Sequence, residues 1–197
     1  KDPTKSPGEH SEIMLNDGKG NFTFGPDGSD AQSVGRVESP AGASFVDFDR
    51  DGDLDLWVTQ YSYPNPGTIQ DVAQQARLYR GDGTGKLIEV TNDVGLTTSP
   101  WIDATEMNGG LAHSLSWASL ACDLNGDGNP ELLSASYGRA PNLLFQGVRD
   151  GSATSFGNRS VASGYAYDSD MTWQDNQYAR CFCKANPAAV DCAGVPA

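Results

Sequence analysis

Acidic residues occupy every second position through Asp47-Phe48-Asp49-Arg50-Asp51-Gly52-Asp53-Leu54-Asp55. Five carboxylates spaced this closely repel one another unless a cation stands among them. Calcium fits that role, because it takes six to eight oxygens at about 2.3 to 2.6 Å and accepts them from alternating residues of a tight loop. Asp47, Asp49 and Asp51 are expected to give side-chain oxygens, Asp53 its backbone carbonyl and Asp55 a carboxylate, with Gly52 allowing the sharp turn. A second copy follows in Asp123, Asn125, Asp127, the carbonyl of Asn129, and Glu131, with Gly128 at the turn. Its lower charge predicts weaker binding. Magnesium suits these loops less well, since it demands near-ideal octahedral geometry and keeps several waters.

The elements that must position these residues read as strands. Ala43-Ser44-Phe45-Val46 enters the first loop and Leu54-Asp55-Leu56-Trp57-Val58 leaves it, both rich in β-branched or aromatic residues. An EF-hand opens with the same Asp-x-Asp-x-Asp-Gly spacing, but it needs flanking helices and a bidentate Glu at loop position 12. That position holds Val58 in the first loop and Ser134 in the second. Both loops are therefore expected to join β-strands.

A pair of short strands around a glycine turn recurs three times. The copies are Ile13-Met14-Leu15-Asn16-Asp17-Gly18-Lys19-Gly20-Asn21-Phe22, Leu78-Tyr79-Arg80-Gly81-Asp82-Gly83-Thr84-Gly85-Lys86-Leu87, and Leu143-Leu144-Phe145-Gln146-Gly147. Leu15, Leu78 and Leu143 lie 63 and 65 residues apart, and a regular period of strand pairs argues for blades or an array. The order Phe-x-Asp-x-Asp-x-Asp-Gly-Asp-Leu-Asp-Leu, then Leu-Tyr-Arg, Asp-Gly-x-Gly, Glu89-Val90-Thr91 and Gly95-Leu96 resembles the FG-GAP or VCBS-type repeat. Such repeats build integrin-α-like β-propellers, and the sequence is also similar to the relatives grouped with the cartilage acidic protein family. The resemblance implies an all-β propeller segment of about three four-stranded blades, with calcium in the loop between the first two strands of a blade.

On that basis residues 1–40 are expected to form a partial blade, the second half of a repeat. Residues 41–108 are expected to form a blade with calcium loop 47–55 and a connecting loop, 109–164 a blade with calcium loop 123–131, and 165–197 a cysteine-containing extension. The second copy departs from the repeat at Asn129-Pro130-Glu131, where Asp-Leu-Asp is usual. Complete propellers of this type have about seven blades, so the chain is expected to be part of a longer polypeptide or a subunit whose missing blades come from a neighbour. Blades bury their faces only against adjacent blades, so three alone leave two open apolar faces.

Composition sets further bounds. Leu, Ile, Val and Phe make up roughly 18% of the chain and the formal charge is −13, a combination that in a metal-free chain signals disorder. Eight of the 26 acids fall in the two loops, where two calcium ions would offset four negative charges. The acidic balance excludes the basic surfaces that nucleic acids and anionic membranes select. No window approaches 18 consecutive apolar residues, so no membrane insertion is expected. Of the four cysteines, Cys181 or Cys183 is expected to pair with Cys192, and Cys122 with the one remaining. Zinc is disfavoured by the Cys-x-Cys spacing. Disulfides and calcium sites together point to an extracellular, cell-surface or periplasmic location.

Several lesser signals have structural explanations. Arg80-Gly81-Asp82 spells an adhesion tripeptide, but it falls in the repeat's own turn. Asn21-Phe22-Thr23 and Asn158-Arg159-Ser160 fit the N-glycosylation pattern. Trp57, Trp101, Trp117 and Trp173 are expected in blade cores or rims, Tyr165 to Trp173 as a cap over the last blade, and Thr68 to Arg77 as a short helix or inserted loop. With only His10 and His113, no Gly-x-Ser-x-Gly and no His-Glu-x-x-His, the chain offers no recognisable nucleophile with its base. The His113-Ser114 neighbourhood and the Asp103 and Glu106 acids do not change that. The expected function is a calcium-stabilised extracellular module that recognises protein or glycan. The alternatives are a structural subunit of a larger assembly, joined to neighbouring subunits, and a propeller-based hydrolase or lyase.

Overall fold

The computed structural model describes residues 11–32, 40–61, 74–100, 104–138, 140–168, 179–180, 183–184 and 186–195. Its ten strands form one hairpin and two four-stranded antiparallel sheets, an all-β arrangement consistent with a propeller-like segment. β1 (Met14–Asn16) and β2 (Phe22–Phe24) make the hairpin. The first sheet runs in chain order through β3 (Pro40–Val46), β4 (Asp55–Gln60), β5 (Arg77–Gly81) and β6 (Leu87–Glu89). The second repeats the meander with β7 (Ser116–Cys122), β8 (Glu131–Ser136), β9 (Leu143–Asp150) and β10 (Ala153–Asn158). One helical turn, α1 (Ala104–Asn108), lies between the two sheets in sequence.

The repetition extends to irregularities. A register shift between Pro40 and Gly42 on β3 recurs between Ser116 and Ala118 on β7. After each sheet a hydroxyl closes the next turn: Thr91 Oγ1 accepts from the Leu78 amide at 3.0 Å, and Ser160 Oγ from the Leu144 amide at 3.0 Å. The Asp17-to-Gly20 turn of the hairpin and the Asp82-to-Gly85 turn of the first sheet both place two glycines at positive φ, at 77° and 89° and at 74° and 94°. Glycine reaches that region without steric penalty, so these turns are tight rather than loose.

β4 is buried along its whole length because its two faces meet different neighbours. Side chains alternate across a strand. Leu56 and Val58 pack with Tyr79 and Leu87 against Ile13 and Ala31, on the hairpin side. Trp57 points the other way, into the larger core, where Phe48, Leu78 and Val94 of the first sheet's side meet Leu132, Leu143, Phe145 and Phe156 of the second. Trp57 and Phe145 meet edge-on at 6.2 Å, and the Trp57 indole N–H donates to the Leu133 carbonyl at 3.0 Å. The first strands also touch: Ser44 and Ser119 share a hydroxyl hydrogen bond of 2.9 Å. A Cβ on Gly42 would lie 2.5 Å from the Ser119 amide nitrogen, so this approach requires glycine.

One expectation is met in part and one is corrected. Residues 68–73 lie outside the described residues, while residues 74–76 form a loop, one of the two readings of the Thr68-to-Arg77 stretch, and Arg77 opens β5. Pairing with β4 claims the backbone there, since Val58 is opposite Arg77. Cys122 is not in a disulfide: Cys183 pairs with Cys192, while Cys122 is held in β7 opposite Glu131. Cys181, Trp101, Trp173 and Asp103 lie outside the described residues. Of the other tryptophans, Trp57 is core at 1% exposure and Trp117 is a rim residue at 60%.

Candidate metal centre

Both acidic loops sit where a sheet's first strand turns into its second, β3 to β4 and β7 to β8. In the first loop Asp47, Asp49 and Asp55 bring one carboxylate oxygen each within 4.8 Å of one another, the one such group among the described residues. At that separation each pair of full charges repels by about 3 kcal/mol at an effective dielectric of 20. A cation placed among the three would offset that repulsion.

Asp55 anchors the group. It is fully buried, and its oxygens accept from the Phe48 amide at 2.8 Å and the Gly81 amide at 2.9 Å. Burial outweighs these two donors and pushes its pKa up to about 6, with the charges of Asp49 and Asp51 adding to the rise. Asp49 is raised too, first by burial and then by Asp51. Asp47 Oδ2 accepts from the Gly52 amide at 3.2 Å, but Asp47 Oδ1 is buried without any hydrogen-bond partner. Native proteins seldom leave a buried carboxylate oxygen unpaired, so this atom carries the fit test for a metal. The donors are hard oxygens on a short loop, which suits calcium.

Asp51 and Asp53 stand outside the three-carboxylate group. Asp51 Oδ1 accepts from the Asp53 amide at 2.8 Å, and Asp53 points toward Gly83, where a Cβ would come within 2.5 Å of its Oδ1. Arg50 adopts φ 60°, unusual for a residue with a side chain, which lets the loop coil around its own carboxylates.

The second loop has the same kind of anchor. Glu131, 3% exposed, accepts from the Leu124 amide at 2.8 Å just as Asp55 accepts from Phe48. Asp123 uses both oxygens on the Gly126 and Gly128 amides, each at 2.8 Å. Asn125 stands where the first loop has Asp49, and its amide donates to Asp127 at 3.0 Å and to Glu131 at 3.2 Å. Hydrogen bonds from Asn129 draw the Asp127 pKa down, and the carboxamide of Asn125 acts in the same direction. This loop satisfies its acids internally, whereas the first cannot.

Two arginines that spacing alone did not single out tie the loops together. Arg50 leaves the first loop and donates to Asn129 Oδ1 of the second at 3.2 Å. Arg149, on β9, donates to the Asp49 carbonyl at 2.6 Å. Two glycines of the repeated strand pairs press on the same loops. A Cβ on Gly81 would meet the Leu54 carbonyl at 2.2 Å, and one on Gly147 the Pro130 carbonyl at 2.5 Å. Each glycine lets the third strand press on the residue before the anchoring acid, and their recurrence in apolar strands was the available signal. Gly81 is buried at the end of β5, while Arg80 and Asp82 on either side of it are exposed, Asp82 in the turn to β6.

The remaining candidates are occupied structurally. His113 Nδ1 bonds Thr98 Oγ1 at 2.5 Å, and Ser114 Oγ donates to the Pro141 carbonyl at 2.7 Å. Asn158 Nδ2 donates to the Gly110 carbonyl at 2.7 Å and Ser160 is fully buried, a poor glycan acceptor, while Asn21 is exposed in its turn. Tyr61, Trp117 and Tyr137 form an aromatic cluster with centroid distances of 4.9 to 6.1 Å. It lies beyond the ends of β4 and β8, opposite the acidic loops.

No helix of the described residues is long and apolar enough to cross a membrane. No curated protein matches the chain. Residues 6–58 match the family model of the FG-GAP-like repeat, so this part of the chain, from the β1–β2 hairpin through β3 and the first acidic loop into β4, carries an FG-GAP-like repeat.

Proposed function

We propose that this chain is a calcium-stabilised extracellular β-propeller module whose task is recognition of a protein or glycan, with the ions in structural roles. The buried, unpartnered Asp47 Oδ1 beside the raised carboxylates of Asp49 and Asp55 is the observation that carries the metal part. Asp47, Asp49 and Asp55 would hold the first ion with oxygens from Asp51 and Asp53, and Asp123, Asn125, Asp127, Asn129 and Glu131 a weaker second one. The ion supplies positive charge that lets these carboxylates stay ionised at neutral pH. The chain does the rest, because Asp55 clamps the loop to β5 through the Phe48 and Gly81 amides. The Cys183–Cys192 disulfide supports an oxidising compartment. For recognition the support is the cluster of half-buried Tyr61 with exposed Trp117 and Tyr137, since Trp and Tyr are enriched among the residues that carry binding energy at interfaces.

Thermal melting with and without EGTA tests the clasp. Calcium is expected to raise the melting temperature by several degrees, and a midpoint that ignores both calcium and EGTA sinks the metal reading. Glycan and protein arrays probed with the intact chain and with Trp117→Ala test recognition. Loss of at least tenfold in any specific binding is expected, corresponding to about 1.4 kcal/mol. Binding unchanged by the substitution removes the aromatic cluster from the reading.

A further inference from the structure

One backbone position is filled differently in the two acidic loops. Arg50 follows Asp47 at the same distance as Gly126 follows Asp123. Both adopt the left-handed conformation, with φ 60° at Arg50 and 76° at Gly126. Glycine takes that conformation without steric cost, whereas a residue with a side chain does not. The first loop therefore carries arginine where the second carries the strain-free residue. A strained residue persists where its surroundings hold it, and the groups that hold Arg50 belong to the other sheet and its acidic loop.

Arg149 of β9 donates to the Asp49 carbonyl at 2.6 Å. That carbonyl belongs to the same peptide unit as the Arg50 nitrogen, so Arg149 fixes the plane from which Arg50 leaves. The Arg50 guanidinium then crosses to the second loop and donates to Asn129 Oδ1 at 3.2 Å. It lies over Gly128, where a Cβ would come within 2.5 Å of Nη2. The turn glycine thus leaves room for the guanidinium as well as reaching φ 84°. The second loop holds three acids, Asp123, Asp127 and Glu131, against five in the first. The arginine of the first loop brings its positive charge to the less acidic of the two.

We infer that Arg50 is a resident cation of the second loop, which balances its acids when no metal is bound and holds its calcium affinity below that of the first loop. Calcium approaching Asp123, Asn125, Asp127, Asn129 and Glu131 meets a fixed positive charge at the rim, and like charges repel. The two loops are thereby graded to different calcium concentrations. The inference rests on the calcium reading proposed above, and it adds a determinant beside the lower acid count of the second loop.

Isothermal titration of the intact chain with calcium at low ionic strength tests it, with Glu131→Gln identifying the step that belongs to the second loop. Arg50→Gln and Arg50→Gly are each expected to raise the affinity of that step about fivefold, and that of the first loop less than about twofold. Arg50→Lys keeps the charge and is expected to stay within about twofold of the wild type. The gain is expected to vanish in about 1 M salt, where the Debye length is about 3 Å. A second-loop step unmoved by Arg50→Gln, an equal gain at both loops, or a lysine variant that gains as much as the glutamine variant overturns the inference. Melting in EGTA separates it from the calcium reading. Arg50→Gln loses the charge but keeps a side chain at the left-handed position, and it is expected to lower the metal-free midpoint by about 2 °C at low salt and not at high salt. If the wild type binds no calcium, the calcium reading fails and the EGTA comparison decides whether Arg50 balances the second loop. An unchanged midpoint there overturns the inference.

Discussion

Asn125 decides how the two acidic loops differ. A carboxamide donates where a carboxylate cannot, so Asn125 holds Asp127 and Glu131 together with N–H groups, while Asp49 at the matching place adds a charge. Replacing Asn125 with Asp should remove the internal donor and create a second three-carboxylate group. The expected outcome is calcium affinity at this loop raised about tenfold, read by isothermal titration, with lower stability in EGTA. An unchanged affinity means that Asn125 is not facing the ion. The alternation of acids was legible in the sequence because ligand chemistry fixes residue type. The orphaned Asp47 Oδ1 and the raised pKa of Asp55 were not, since both come from burial by distant residues.

At the scale of single elements, the third strand of each sheet depends on a missing side chain. Gly81 approaches the Leu54 carbonyl so closely that Gly81→Ala must push β5 from the β3–β4 loop and lengthen the hydrogen bond from the Gly81 amide to Asp55. Overpacking of this kind costs about 1 to 3 kcal/mol. Urea unfolding in calcium should show that loss, and Gly147→Ala should show a similar one against the Pro130 carbonyl. A neutral Gly81→Ala shows that the loop yields freely. The strands leaving the loops were legible from their apolar, β-branched and aromatic residues and from the glycine turns, as β4 illustrates. The start of β5 was not, because pairing of Arg77 with Val58 is a non-local contact that residue spacing does not give.

Across the whole molecule, cohesion between the sheets rests on Trp57. Its ring fills the joint against Phe145 and its N–H crosses to the Leu133 carbonyl. Trp57→Ala should cost about 3 to 5 kcal/mol. Trp57→Phe keeps much of the packing but leaves that buried carbonyl without its donor, at about 1 to 3 kcal/mol. Equilibrium unfolding followed by fluorescence and by circular dichroism checks both. A larger effect for Phe than for Ala contradicts this account. The FG-GAP-like match to residues 6–58 spans the hairpin and the first half of the next sheet, so the sequence repeat is offset from the structural sheet by two strands.

By itself the sequence determined the strand meander, the two loops and the chemistry of their donors, because ligand type, turn glycines and two-residue periodicity are local properties. Tertiary structure decided which carboxylates converge, that Cys183 rather than Cys181 pairs with Cys192, and that Arg50 and Arg149 bind one loop to its neighbour. It also decided which of two equivalent residues is covered and which is open, Phe48 against Leu124. Burial is a property of the partner surface, and a repeat sequence writes the same residue types at joined and unjoined faces alike.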